Sequence, residues 1–310
     1  MRVMFMGTPD IAAVCLERLI SDGHNIVAAV TGEDKPRGRG NVMTPTPVKA
    51  VAERHGIAVF TPKTLRDEAF LRVLEEVKPD VIAVVAYGKI LPKSVLDFPR
   101  YGCLNAHVSL LPKYRGAAPM QRAIMNGEKE TGVTVMYMNE GLDTGDIVKT
   151  EAFPIQSDYD FETVHDKSAE IGGKLLSEVI RDIEAGHICR TPQCDAEATY
   201  AAKIEKEDCK VDFTKDAKTL DFIIRGVTPI PGAFCYHNGK MLKIVRAVPA
   251  CGSGTPGEVL ELDASGDGAI TVATGGGVLK ILKLKPEGKG VMSAGDYIRG
   301  RKISLGDILE

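Results

Sequence analysis

No run in this 310-residue chain approaches the roughly 18 to 20 consecutive apolar residues that a bilayer-spanning helix requires. Met1-Arg-Val-Met-Phe-Met leads directly into a strand-like stretch, with neither the apolar h-region nor the small-residue cleavage site of a secretory signal. A cytoplasmic protein with no membrane partner is expected. Cysteine spacing is equally bare. The seven cysteines (Cys15, Cys103, Cys189, Cys194, Cys209, Cys235 and Cys251) are odd in number and form no C-x-x-C pair, so neither a disulfide framework nor a zinc site is indicated. They read as reduced, structural residues, and no metal is expected. Charge of one sign is missing as well: 39 Lys and Arg against 42 Asp and Glu leave a net charge of -3, not the basic footprint usual for nucleic-acid binding. That average hides a tilt, since from residue 201 onward basic residues number about 16 against about 14 acidic ones, making the rear third mildly basic and the front acidic. Internal repeats and low-complexity tracts are absent. What is present, at 44% hydrophobic composition, is enough apolar surface for a large core, and the length fits about two domains.

The first half alternates strand and helix signals. Arg2 to Met6 reads as a buried strand, and Thr8 is placed to cap a helix that has Pro9 at its first position and apolar residues at Ile11, Val14, Cys15 and Leu19. Ile26 to Val30 is a second strand. Thr46-Pro47 starts a helix that Gly56 ends, Ala58 to Phe60 is strand-like, and Leu65 to Val77 repeats the helical pattern. Asp80 to Ala86 is a continuous apolar run of the kind found in a parallel sheet covered on both faces. Thr131 to Met138 and Ile147 to Pro154 read as an added antiparallel hairpin, and Phe161 to Glu184 as a long amphipathic helix with Gly186 just past its end. The expected fold is α/β, a Rossmann-like doubly wound, mostly parallel sheet. Its obvious ligand would be a dinucleotide, but the first strand-to-helix turn is Gly7-Thr-Pro9 instead of G-x-G-x-x-G. A Pro there removes an N–H that pyrophosphate would use.

Residues 1-188 are therefore read as one domain, the irregular polar stretch 189-206 as a linker, and 207-310 as a second domain. In that last part Ala233 to His237, Lys240 to Ala247, Gly257 to Leu262, Ala269 to Thr274 and Val278 to Leu284 are short strand-like runs, with Asn238-Gly239 as a hairpin signal. Five short strands suggest a small barrel, and periodicity alone allows an OB-like or SH3-like barrel or a small sandwich.

The chemistry concentrates in two segments, Asn105-Ala-His107-Val-Ser109-Leu-Leu-Pro112 and Leu142-Asp143-Thr-Gly145. Asn105 and His107 stand at i and i+2 at the end of an apolar run, so in a strand both side chains point to one side of the sheet and can reach one carbonyl together. Asp143 sits in a Gly-rich turn between the two hairpin strands. Taken singly, a strand His is more often a hydrogen-bonded core or surface residue, and Asn105 or Asp143 a turn former. Together they supply an oxyanion donor, a general acid and a general base, the set needed for acyl transfer to an amine. The loop that follows, Ser109 to Pro119, is too apolar and Pro-rich for an ordinary surface loop, and such loops usually line something.

These segments resemble the signature of the 10-formyltetrahydrofolate-dependent formyltransferases, Asn-x-His-x-Ser-Leu-Leu-Pro followed later by Leu-Asp-x-Gly. Met4 to Pro9, Lys35 to Gly40, Tyr114 to Arg122, Leu142 to Asp146, Thr199 to Lys206, Ile230 to Phe234 and Pro286 to Arg301 extend the likeness over nearly the whole chain, toward the branch that acts on charged initiator tRNA. Val108, Ala202 and Gly226 to Ile230 depart from that pattern without removing a reacting group. The resemblance implies formyl transfer from 10-formyltetrahydrofolate to the α-amino group of methionine on initiator tRNA, with Asn105, His107 and Asp143 as the catalytic residues. It implies a tetrahydrofolate site lined by Tyr87, Gly88, Ile90, Ser109, Leu110, Leu111 and Pro112, and an OB-like C-terminal tRNA-binding barrel. It further implies that the long polar loop Thr31 to Thr46, with Lys35, Arg37 and Arg39, enters the acceptor stem, and that Lys206 lies near the tRNA end. The folate cosubstrate and initiator methionyl-tRNA are the expected partners of a monomer. Two rivals remain, a formyltransferase for a small amine such as glycinamide ribonucleotide or an amino sugar nucleotide, and a noncatalytic folate- or RNA-binding protein. The long basic loop and the β-rich rear domain argue against the first, and the complete set of reacting groups against the second.

Overall fold

The computed structural model describes residues 1–37 and 42–310. Arg39 lies outside the described residues.

The chain begins with β1 (Arg2–Gly7), whose last five residues are all buried, as a strand covered on both faces demands. Helix α1 (Asp10–Ser21) follows, but Thr8 does not cap it. Pro9 occupies the N-cap position without a side-chain bond, while the Thr8 hydroxyl donates to the Tyr87 carbonyl at 3.4 Å and accepts the Gly32 N–H at 3.3 Å. Thr8 therefore ties neighbouring strand ends together, a tertiary use that outcompetes the local one. After β2 (Asn25–Val30), the stretch expected to be all loop contains a two-stranded ribbon, β3 (Lys35–Arg37) against β4 (Val42–Thr44), with Lys35 opposite Thr44. Helix α2 (Pro47–Arg54) has the expected start, since the Thr46 hydroxyl accepts the Lys49 N–H at 3.1 Å.

Strand β5 (Val59–Phe60) is followed by α3 (Glu68–Val77), capped by Asp67 and shorter at its front than the apolar period suggests. Then come β6 (Val81–Val85), α4 (Lys93–Leu96), β7 (Cys103–His107), the two-residue β8 (Arg115–Gly116), α5 (Pro119–Met125), β9 (Glu130–Tyr137), β10 (Ile147–Pro154) and the 24-residue α6 (Phe161–Glu184). Seven of these strands form one sheet in the order β10-β9-β7-β6-β1-β2-β5. Neighbours from β7 to β5 pair in parallel and β9 joins β7 antiparallel, giving the mostly parallel sheet that the sequence implies. Two parallel strand ends, those of β6 and β7, sit side by side, and ligands of open α/β sheets bind outside such carboxyl ends.

Contacts divide the chain into two compact units. The first comprises Met1–Gly116, Glu130–Phe153 and His165–Ala201, and it includes β11 (Tyr200–Ala201), which pairs with β8. The second comprises Ala117–Lys129, Pro154–Val164 and Ala202–Glu310. Its core is built by α7 (Ala217–Val227), a helix the sequence reading does not anticipate, and by the antiparallel strands β12 (Ala233–His237), β13 (Lys240–Ala250), β14 (Val259–Asp263), β15 (Ala269–Ala273) and β16 (Val278–Pro286), with β17 (Met292–Ser293) and α8 (Ala294–Arg299) after them. The sheet order β12-β13-β16-β15-β14 leaves β12 and β14 as edges. The chain's last residues bridge them: Leu309 pairs with His237 of β12, and Ile308 pairs with Glu258 at the mouth of β14. These isolated bridges engage an end of each edge strand, which makes the unit barrel-like.

Candidate active site

Strand β7 carries Asn105 and His107 to the carboxyl edge of the sheet. Asn105 pairs with Val84 of β6 on one side and Met136 of β9 on the other, so its backbone is held in the sheet's interior. Its half-buried side-chain amide has no hydrogen bond among the described residues, which leaves both N–H groups available to a ligand. His107 is buried, and its Nε2 lies 2.9 Å from the carbonyl oxygen of Tyr114. A carbonyl only accepts, so Nε2 carries a proton and Nδ1 is the nitrogen left for chemistry.

Nδ1 of His107 lies 3.6 Å from Oδ2 of Asp143, close enough for electrostatic coupling but longer than a hydrogen bond. The same Oδ2 accepts the Gly116 N–H at 2.8 Å, and Oδ1 has no partner among the described residues. Asp143 has a positive φ of 53°, a conformation that costs a non-glycine residue about 1–2 kcal/mol, so its turn must be held by its surroundings. Gly145 allows this, because a Cβ there would overlap the Tyr137 carbonyl. The turn thus closes tightly on the end of β9.

The expected folate walls follow directly from β6 and β7. Tyr87 is buried with its hydroxyl unpartnered among the described residues, and burial pushes its phenol up to about 12. Gly88 has φ 79°, and Ile90 is 82% exposed beside it. On the second loop Ser109 is buried and donates to the Lys113 carbonyl at 2.7 Å, Leu111 is buried, and Leu110 and Pro112 are half-buried. This loop is fastened by Thr134, opposite His107 on β9. The Thr134 hydroxyl donates to the Ser109 carbonyl at 2.8 Å and accepts the Leu111 N–H at 3.2 Å. A single buried hydroxyl therefore sets the loop's height above the strand, and nothing in the sequence pattern singles it out.

The expected tRNA contacts fall in both units. Lys35 is exposed on the ribbon β3–β4 opposite Thr44, Val42 and Met43 of the facing strand are exposed as well, and Arg37 ends β3. Lys206 is exposed in the second unit, with its ammonium 5.8 Å from the Phe234 ring centre. Among the cysteines, four are buried, and burial pushes the thiols of Cys15, Cys103 and Cys235 up to about 12, which makes them inert. Cys189, Cys194 and Cys251 are exposed instead of packed, contrary to their expected structural role. Among the described residues no group of three or more His, Cys, Asp or Glu side chains is arranged to hold a metal ion, and no helix is long and apolar enough to cross a membrane.

Residues 1–180 match the family model described as formyl transferase, and residues 203–302 match the model of the formyl transferase C-terminal domain. The chain is 45% identical over 309 residues to a protein of Geotalea uraniireducens named methionyl-tRNA formyltransferase, covering 100% of this chain and 98% of that one. A protein of the same name from Caldanaerobacter subterraneus subsp. tengcongensis is 45% identical over 313 residues, with 100% of each chain covered. Among solved structures, HypX from Aquifex aeolicus in complex with tetrahydrofolic acid superposes with a TM-score of 0.67 at 21% identity, covering 96% of this chain and 47% of HypX. An N-formyltransferase from Helicobacter canadensis, in complex with folinic acid and dTDP-3-aminofucose, has a TM-score of 0.65 at 18% identity and covers 90% and 97%. Those two likenesses concern the fold.

Proposed function

The chain belongs to the formyl transferase family, and on that premise we propose that it transfers the formyl group of 10-formyltetrahydrofolate to the α-amino group of methionine on initiator tRNA, yielding formylmethionyl-tRNA for translation initiation. The observation that carries the reading is the unpartnered Asn105 amide on the same strand as buried His107, which faces Asp143 at the carboxyl edge of the sheet, in a chain that matches its tRNA-formylating relatives from end to end. Sugar N-formyltransferases share the fold at far lower identity, so the fold alone does not choose the acceptor. Identity across the C-terminal domain as well as the catalytic one favours tRNA over a small amine.

The amine nitrogen attacks the formyl carbon, the C=O opens to an oxyanion, and the C–N10 bond then breaks with return of the carbonyl. Asn105 donates an N–H to the oxyanion, a contact of a kind worth about 3 kcal/mol in the transition state. His107, its Nε2–H held by Tyr114, presents Nδ1 to the reacting centre and passes to the departing folate nitrogen the proton that the attacking amine gives up through Asp143. Asp143 keeps Oδ2 on the Gly116 N–H and uses Oδ1, through water, to take the proton of the attacking amine. Tyr87, Gly88 and Ile90 with Ser109, Leu110, Leu111 and Pro112 form the walls for the pterin. Lys35, Arg37 and Arg39 contact the acceptor stem, and Lys206 the tRNA end. We take residues 1-188 as the catalytic part, 189-206 as the link and 207-310 as the tRNA-binding part of a cytoplasmic monomer. A single-turnover assay with 10-formyltetrahydrofolate tests the reading. Formylation of charged initiator tRNA, but not of free methionine or an amino sugar nucleotide, is expected, and the reverse preference would overturn it.

A further inference from the structure

Gln193 lies in a stretch whose composition reads as a polar linker, yet its side chain is wired into the catalytic turn. Its Oε1 accepts from Nε and Nη2 of Arg115 at 3.1 and 2.8 Å, and its Nε2 donates to the carbonyls of Asp143 and Gly145 at 2.9 and 2.7 Å. A guanidinium only donates and carbonyls only accept, so one orientation of the amide satisfies all four contacts, and the flipped one opposes like groups everywhere. Arg115 is only 2% exposed, and its second partner is Oδ1 of Asp195 at 2.8 Å, a carboxylate 83% exposed. The buried cation thus fixes the amide, and the amide fixes the turn.

We propose that Gln193 is a positioning residue for formyl transfer: its amide holds the two carbonyls that flank Thr144, and so locks the left-handed backbone that aims the Asp143 carboxylate at His107. The bond to Asp143's own carbonyl sets the peptide plane directly after the positive φ, and the bond to Gly145 sets the far side of the turn. The same segment holds the opposite wall. The Thr199 hydroxyl accepts the Tyr114 N–H at 2.9 Å and the Thr199 carbonyl accepts the Arg115 N–H at 2.8 Å, while Ala201 pairs with Gly116. Tyr114 and Gly116 are the residues whose backbone groups grip His107 and Asp143. Residues 193–201 therefore brace both sides of the catalytic pair. The inference rests on the formyltransferase reading of that pair.

Gln193→Glu separates positioning from general support, because a carboxylate keeps, and strengthens, the pairing with Arg115 while losing both donors to the turn. The expected result is a melting temperature within a few degrees of the wild-type protein, a kcat lower by about 10- to 100-fold, and KM values for folate and charged tRNA within about twofold. Gln193→Met, near-isosteric and uncharged, gives the same kcat-against-KM reading if the carboxylate disturbs folding. In parallel, the His107 ring ¹H–¹⁵N resonances should move in both variants toward those of Asp143→Ala, a readout independent of turnover. A folded variant with wild-type kcat and unmoved His107 resonances overturns the positioning role. A wild-type protein inactive on charged tRNA would instead count against the proposed function, and the His107 resonances would still report on Gln193.

Discussion

His107 Nε2 sits 2.9 Å from the Tyr114 carbonyl oxygen, which assigns the two ring nitrogens different tasks. One is anchored to the backbone of the next loop, and the other faces Asp143 at 3.6 Å. The imidazole is thereby oriented by the backbone of the loop that follows its own strand.

That assignment sharpens the expected outcome of replacing the three reacting residues. If these groups act mainly in the transition state, as proposed, Asn105→Ala, His107→Ala and Asp143→Ala should each lower kcat by roughly 10²-fold or more with little effect on tRNA affinity. At position 107 Asn places its amide nitrogen near the former Nδ1, whereas Gln reaches toward the Tyr114 carbonyl. Asn should therefore retain more kcat than Gln. Steady-state kinetics of the five variants with charged tRNA decide it, and equal kcat for Gln and wild-type would exclude Nδ1 as the working nitrogen.

The turn that carries Asp143 depends on a close approach. A Cβ at Gly145 would overlap the Tyr137 carbonyl, so Gly145→Ala has to push the turn away from β9, and the Gln193 bond to the Gly145 carbonyl moves with it. We expect a loss of about 1–3 kcal/mol in urea unfolding, as for other overpacked sites, and a kcat reduced at least tenfold. Unchanged stability and turnover would mean that the turn yields without affecting the carboxylate.

Periodicity and turn chemistry made most of the fold legible. The 24 residues of α6 and the five strands of the rear unit stand close to where alternation and Asn238-Gly239 put them, because burial of one face dictates those patterns. Asn105, His107 and Asp143 were legible as types at a spacing. Their supports were not. Arg115 looks like a surface cation until the fold buries it, and Gln193 and Thr199 lie in a polar stretch whose role is defined by partners 48 to 85 positions away. Thr8 was misassigned for the same reason: its partners Tyr87 and Gly32 belong to other loops, and local capping rules see only neighbours. Helix α7 was missed although Asp216 caps it and Leu220, Ile223, Ile224 and Val227 recur at helical spacing, because the strand-like runs from Ala233 onward dominated that part of the chain.

The basic loop should act on one substrate only. Neutralising Arg39, or Lys35 on the exposed ribbon, should raise KM for charged tRNA severalfold and leave folate affinity unchanged within error. Affinity of the whole protein for tRNA should fall with salt with a log–log slope of a few units at most, in keeping with the small basic excess behind residue 201. Binding titrations at several ionic strengths provide the check, and equal losses for both substrates would make the loop a structural element.

Acid should act on the second unit through Asp208. Its carboxylate receives Nη2 and Nη1 of Arg122 at 2.7 and 3.1 Å and the Glu205 N–H at 2.9 Å, and the Arg122 hydrogen bonds first of all hold its pKa below the ordinary carboxylate value. The folded state thus favours the charged form. This contribution to stability is complete above about pH 4 and is lost as pH falls through the lower folded-state value. Asp208→Asn should be less stable than wild-type at neutral pH, and the gap should close on acidification. Thermal melts from neutral pH to about pH 3 measure it, and a gap that stays constant would rule out the linkage.

The placement of residues 193–201 changes what a shortened chain should do. A chain ending at Gly186 retains β1 to β10 and α6, which by sequence pattern look like a complete catalytic domain. It lacks Gln193, Thr199 and Ala201, so the carbonyls of Asp143 and Gly145 lose their donor, buried Arg115 loses Gln193 and Asp195, and the Tyr114–Gly116 segment loses its strand partner. It also retains Ala117–Lys129 and Pro154–Val164 without the unit they belong to, including Met125, which packs against the rear core. A chain ending at Ala201 restores the brace but not that core. Turnover with charged tRNA should therefore be lowest for the chain ending at Gly186, intermediate for the one ending at Ala201 and full only for all 310 residues, with folate affinity rising in the same order. Melting temperatures measured alongside separate loss of the brace from general unfolding. If the chain ending at Gly186 bound folate and turned over within about tenfold of the full protein, the segment after it would be a linker after all, and the bracing of His107 and Asp143 would have to come from the sheet alone.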